Sequence, residues 1–141
     1  YNFGTSYQYI YDDLKSKSEE LYTRNGLLNM VGRNLNVKTA PQRWQEETKE
    51  KYDVAFAFEE RVFEQIVDDM QQRGNKTMQP LLIINLDVKD NHEEAAVAAP
   101  HAAKLCGMLD EAADWESEVA SILDKFHAEV GRRPLYTILY Y

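Results

Sequence analysis

The sequence predicts an α/β fold with parallel strands, and three observations carry that prediction. Asp53-Val54-Ala55-Phe56-Ala57-Phe58 is a short apolar run; Val62, Phe63, Ile66, Val67 and Met70 then recur at helical spacing; Leu81-Leu82-Ile83-Ile84-Asn85-Leu86 is a second buried-type run. Strand, helix and strand within about 35 residues form a βαβ unit, whose two strands run parallel through a right-handed crossover.

Taken in order, residues 5 to 22 place Tyr7, Ile10, Tyr11, Leu14 and Leu21 on one face of an amphipathic helix, with acidic and basic residues opposite. Thr5 or Ser6 can cap it, Phe3 stands at a staple position, and Asn25-Gly26 ends it. Residues 27 to 50 read as a connector with local helix around Leu27, Leu28, Met30 and Val31. The helix after the first strand closes at Gly74, a residue suited to a C-cap. After the second strand, Asn91 and Glu94 have capping-box spacing and open an Ala-rich helix reaching about Met108. Pro100 falls inside that helix, where proline costs about 3 kcal/mol or forces a kink. Trp115, Val119, Ile122, Leu123, Phe126 and Val130 stripe a last helix ending at Gly131, and residues 135 to 141 form an edge strand or a tail over the core.

The chain has 141 residues, enough for one domain, and its 44% hydrophobic content supports a packed core rather than disorder. Its 24 acidic residues against 16 basic ones, a net charge of −8, disfavour direct binding to nucleic-acid phosphates. One cysteine rules out an intrachain disulfide framework and makes a reducing compartment the default; three scattered histidines suggest no zinc site. No apolar run approaches a membrane span, and no basic-then-apolar leader is present. The chain opens on Tyr1 rather than Met, so it reads as a processed product or a partial sequence.

In parallel sheets the ligand crevice lies beyond the carboxyl ends of the strands. That rule points to Glu59-Glu60-Arg61 and, more sharply, to Asp87 through Glu94, which packs four carboxylates with Lys89 and His92 beside a helix start. Three readings are open for this cluster: a Mg²⁺ site at Asp87 and Asp90, a general acid, or a solvated helix N-terminus, the commonest of the three. Cys106 reads as a small hydrophobe buried in mid-helix, His101 and His127 as structural, and Asn75-Lys76-Thr77 as a chance sequon. No glycine-rich phosphate loop occurs.

Several blocks then converge. Tyr1-Asn2-Phe3-Gly4-Thr5, Leu21 through Leu28, Arg33-Asn34, Ala40-Pro41-Gln42-Arg43-Trp44-Gln45, Glu59-Glu60-Arg61-Val62-Phe63 and Ile84 through Ala95 together resemble the eukaryotic phosphatases of the RNA polymerase II carboxy-terminal-domain heptad repeat, the fungal members in particular. The resemblance covers essentially the whole chain. It implies a three-layer fold similar to the low-molecular-weight tyrosine phosphatases, with a parallel sheet flanked by helices and the chain forming the C-terminal part of one phosphatase domain. It also implies a cysteine nucleophile in a C-x-x-x-x-x-R loop, an aspartate that protonates the leaving serine oxygen, and a fifth-position phosphoserine followed by a cis proline as substrate. Carried onto matching positions, the acid is Asp90, Asp87 supports it, and Tyr22 and Met30 contact substrate. No cofactor or metal is implied. The implied partners are the phosphorylated heptad peptide and a scaffold protein of the cleavage and polyadenylation machinery, with no direct nucleic acid and no membrane, in the nucleus.

The chain departs from that pattern too. It begins past the family's first strand, phosphate loop and first helix, so the nucleophile and phosphate-binding arginine are expected to lie outside it, leaving a two-stranded remnant that exposes apolar surface. Ala57-Phe58 stands where the family has Thr-Cys, Val31-Gly32 where it has Leu-Asp, and Pro100 is foreign to the family helix. Two functions therefore compete: part of a working serine phosphatase in transcription termination and mRNA 3′-end processing, or an inactive relative retained as an interaction module for that machinery.

Overall fold

The computed structural model describes residues 1–141, which form two compact units, Tyr1–Lys49 and Glu50–Tyr141. The first unit pairs α1 (Tyr7–Arg24) with α2 (Leu27–Leu35), followed by a single 3-10 turn at Trp44–Glu46. Ile10, Leu14, Leu28 and Val31 form its core, with Tyr7, Tyr11, Tyr22 and Leu27 packed on the rim. Ser6, rather than Thr5, caps α1 by accepting from the Tyr9 amide at 3.1 Å. Gly26 enters α2 at φ 79°, a conformation glycine adopts without Cβ strain.

Two sequence expectations fail in this unit. Leu21 is 42% exposed instead of buried, because Ser18 leaves helical geometry (φ −167°, ψ 92°) and its hydroxyl accepts from the Leu21 amide. The break resets the helical phase, and a stripe counted from Tyr7 no longer faces the core. Phe3 is 63% exposed and makes no staple.

The second unit is the α/β part. Its order is β1 (Val54–Ala57), α3 (Glu60–Arg73), β2 (Pro80–Asn85), α4 (His92–Glu111), α5 (Trp115–Val130) and β3 (Leu135–Tyr140). β1 and β2 pair in parallel with Val54 opposite Leu82, as the βαβ reading requires. β2 occupies the centre of the sheet and is buried on both faces, with Leu81, Leu82, Ile83 and Ile84 at 0% exposure. Alternation along it sends Leu82, Ile84 and Leu86 into the core shared by α4 and α5 (Leu105, Leu109, Val119, Leu123, Phe126), while α3 contacts all three strands.

The sheet has three strands, not two. Residues 135–140 are an edge strand running antiparallel to β2, Asn85 opposite Leu135 and Pro80 opposite Tyr140. Pro100 also departs from expectation: α4 runs through it from His92 to Glu111. Ala96, whose carbonyl loses its partner to the missing proline N–H, lies on the exposed face with Pro100, where water can satisfy it. Cys106 is exposed, not buried. Gly74 (φ 74°) and Gly131 (φ 80°) close α3 and α5 as their spacing predicts.

Tyr141 ties β3 to the start of the unit. Its hydroxyl accepts from the Tyr52 amide at 2.8 Å and donates to the Tyr52 carbonyl at 3.0 Å, while its own carbonyl accepts from the Lys76 and Thr77 amides. Burial pushes the phenol up from its ordinary value. A phenol whose ionisation is disfavoured in the folded state gives stability that is complete below pH about 10 and is lost as pH rises through the folded-state value. Tyr141→Phe is expected to lower stability by about 1 kcal/mol at pH 8 and to reduce the alkaline loss, measured as urea midpoints at pH 8 and pH 11.

Candidate functional site

The crevice rule locates the site within the second unit. β1 ends at Ala57 and β2 at Asn85, and a cleft of about 600 Å³ opens beyond both ends. Phe56, Phe58, Val62 and Val88 wall it, and Ala95, Ala98, Ala99 and Ala102 present one face of α4 to it. Glu59, Lys89, Asp90 and Asn91 supply its polar groups. A largely apolar cleft with a few converging polar groups is the usual form of a ligand site. Phe56 and Phe58 stack with ring centroids 6.3 Å apart, so Phe58 adds aromatic surface to the wall.

The loop from Leu86 to Asn91 is fixed to the end of β1 by backbone. The Leu86 amide donates to the Ala57 carbonyl and the Val88 amide to the Phe58 carbonyl, each at 3.0 Å. Asn91 then caps α4, its side-chain oxygen accepting from the Glu94 amide at 2.8 Å, as the capping-box spacing predicts. Asp90, between those anchors, is exposed on the cleft wall.

Asp87 has a different position. It is absent from the cleft lining, and its carboxylate accepts at 2.8 Å from the side-chain amide of Asn85, which is 2% exposed. No group of three or more His, Cys, Asp or Glu side chains converges anywhere in the chain, so the Mg²⁺ reading of Asp87 and Asp90 lacks a ligand set. Tyr22 and Met30 belong to the first unit; Tyr22 is half-buried against the α1–α2 core, and Met30 is 36% exposed on α2.

Cys106 lies on α4 beside a separate, smaller hollow with Asp53, Val54, Leu109 and Trp115, and does not line the Asp90 cleft. The residue is exposed, but partial burial pushes the thiol up, the opposite of what a nucleophilic cysteine needs. The cleft's own charges, Glu59 and Asp90 against Lys89, do not favour a dianionic phosphate. A phosphate bound here therefore needs donors from beyond the residues that line the cleft.

Sequence reasoning missed two residues of this region, Asn85 and Arg132. Asn85 closes an apolar run and reads there as a strand residue; nothing in the local pattern marks it as the partner of Asp87. Arg132 stands 45 residues from Asp87, a separation over which no periodicity speaks.

The family described as Ssu72-like protein matches residues 1–141. A Dictyostelium discoideum protein, the RNA polymerase II C-terminal domain phosphatase SSU72, is 43% identical over 143 residues, which cover all of this chain and 67% of that protein. The Homo sapiens protein of the same name is 40% identical over 141 residues, covering all of this chain and 72% of its own length. A solved Drosophila melanogaster structure holds Ssu72 and Symplekin bound to a cis peptidomimetic of the C-terminal domain, phosphorylated on the fifth-position serine. It matches with a TM-score of 0.94 and 35% identity, over 100% of this chain and 74% of that one.

Proposed function

This chain belongs to the Ssu72-like family, and on that premise we propose that it forms part of a protein serine phosphatase acting on the phosphorylated fifth-position serine of the RNA polymerase II carboxy-terminal-domain heptad. The observation that carries the reading is Asp90, exposed on the wall of a cleft at the carboxyl ends of two parallel strands. There it protonates the departing serine oxygen. Asp87, held by Asn85, supports the loop, while Tyr22 and Met30 contact the peptide around its cis proline. The thiolate that attacks phosphorus and the arginine that binds the phosphate come from outside these 141 residues, in keeping with the position of Cys106 and the charge of the cleft.

The relative solved with Symplekin and a peptide phosphorylated on the fifth-position serine supports two partners for this chain. One is the phosphorylated heptad peptide; the other is a scaffold protein of the cleavage and polyadenylation machinery. Transcription termination and mRNA 3′-end processing in the nucleus are the corresponding setting.

The test joins these residues to the part of the Dictyostelium relative that lies outside the match, where the cysteine loop is expected, and follows phosphate release from heptad peptides. Vanadate-sensitive release that favours the fifth-position phosphoserine is expected, with none from the 141 residues alone. Turnover by the unjoined chain overturns the placing of the nucleophile. A joined protein that binds the peptide without turning it over overturns the enzymatic reading in favour of an interaction module.

A further inference from the structure

The structure assigns a positioning role to Arg132, which stands between α5 and β3, does not line the cleft, and bonds to His101 and Asp87 rather than to Asp90. The role rests on the reading of Asp90 as proton donor. One guanidinium makes two bonds in different directions: Nε donates to His101 Nδ1 on α4 at 3.1 Å, and Nη1 donates to the Asp87 carbonyl at 3.2 Å. Neither acceptor is a carboxylate, so the planar fork itself, not a charge pair, defines the geometry.

The contact is at the start of the acid loop, on the residue between the two amides that the end of β1 holds. The amides of Leu86 and Val88 fasten the loop toward β1, and Asn91 fastens its far end to α4. The Asp87 carbonyl faces away from those bonds and is taken by Arg132, while the Asp87 carboxylate is taken by Asn85. The Asp87 carboxylate only accepts, so the Asn85 amide turns its nitrogen to Asp87 and leaves its oxygen buried without a partner. Because the same arginine also grips His101, the acid loop and the body of α4 are joined through a single side chain. Asp90 lies three residues beyond that joint, in the turn where α4 begins. His101, read from the sequence as merely structural, is thereby the fixed post of the tether. It serves in that way only when Nδ1 carries no proton, which sets the Nε2–H tautomer.

The test uses the 141-residue chain and nuclear magnetic resonance at pH 8. In the unaltered chain the His101 ring nitrogens are expected to show the Nε2–H tautomer with Nδ1 shifted by the hydrogen bond it accepts from Arg132. Arg132→Ala and Arg132→Lys should both abolish the shift that the accepted hydrogen bond gives Nδ1, the signature read here, while the Nε2–H tautomer, which a neutral imidazole favours unaided, stays; a lysine ammonium cannot bridge the two acceptors as the fork does. Amide exchange over residues 86 to 91 should rise about tenfold, the weight of one hydrogen bond from a charged donor, while Ile83 and Phe126 amides keep their rates. An unchanged His101 signature in Arg132→Ala overturns the tether, and so does exchange that rises uniformly through the second unit, which marks a general structural role. Asp90→Asn should leave both readouts as they are. In the joined enzyme, Arg132→Ala should slow phosphoserine turnover more than p-nitrophenyl phosphate turnover and add nothing to Asp90→Asn. If Asp90→Asn shows the leaving-group effect and Arg132→Ala does not, the positioning role fails alone; if Asp90→Asn lacks it, the proton-donor reading fails, and the tether stands or falls on the resonance data.

Discussion

Asp90→Asn is expected to lower phosphoserine turnover by the joined enzyme by about 10²–10⁴-fold, the usual weight of a positioned general acid. The reason lies in the leaving group. A serine alkoxide is a strong base and departs slowly without a proton, whereas p-nitrophenolate departs unaided. The same substitution should therefore leave most of the turnover of p-nitrophenyl phosphate intact. Asparagine keeps the size and polarity of the side chain, and Asp90 is exposed with no side-chain partner among the hydrogen bonds and ion pairs that hold the loop, so the fold is not the variable. The measurement is the ratio of kcat on the two substrates for the variant and its parent. An equal loss on both refutes the proton-donor role, and so does no loss on either.

Phe126→Ala has the largest expected effect on stability. Phe126 is fully buried in the core that α5 and α4 form over β2, among Leu82, Ile84, Leu86, Leu105, Leu109, Val119 and Leu123. Removing a buried phenyl ring loses its transfer free energy and leaves a cavity, together about 3–5 kcal/mol. That is of the order of the whole stability of a small folded unit. Urea unfolding should show a midpoint shift of that size with an unchanged slope. Val97→Ala, at an α4 position 55% exposed, is the control and should move stability by less than about 0.5 kcal/mol. A Phe126→Ala loss as small as the control's contradicts the packing described for this face of the sheet.

Both predictions depend on residues that carry very different amounts of local information. Asp90 belongs to a block whose chemistry is dense in the sequence, with carboxylates, a capping asparagine and a strand end within a few residues. Its placement on a cleft wall follows from the crevice rule and a correct strand-helix boundary. Phe126 is one tooth of a helical stripe, and the 3.6-residue period alone directs it inward.

The sequence by itself determined the elements whose signals are local. The βαβ unit, the closing glycines at 74 and 131, the Asn91 cap and the inward stripe of α5 all follow from periodicity and end chemistry, which act over a few residues. Tertiary structure decided the rest. Whether residues 135 to 140 pair or drape depends on the open edge of β2, which the segment cannot sense from its own composition. The tolerance of Pro100 depends on which face of α4 meets water, and so does the exposure of Cys106. Leu21 left the core because one serine broke the phase of its helix. The Asn85–Asp87–Arg132–His101 chain joins a strand end, a loop, helix α4 and the connector between α5 and β3, through bonded partners up to 45 residues apart. Side-chain hydrogen bonds of that reach have no period and no spacing, and only the packed fold brings their partners together.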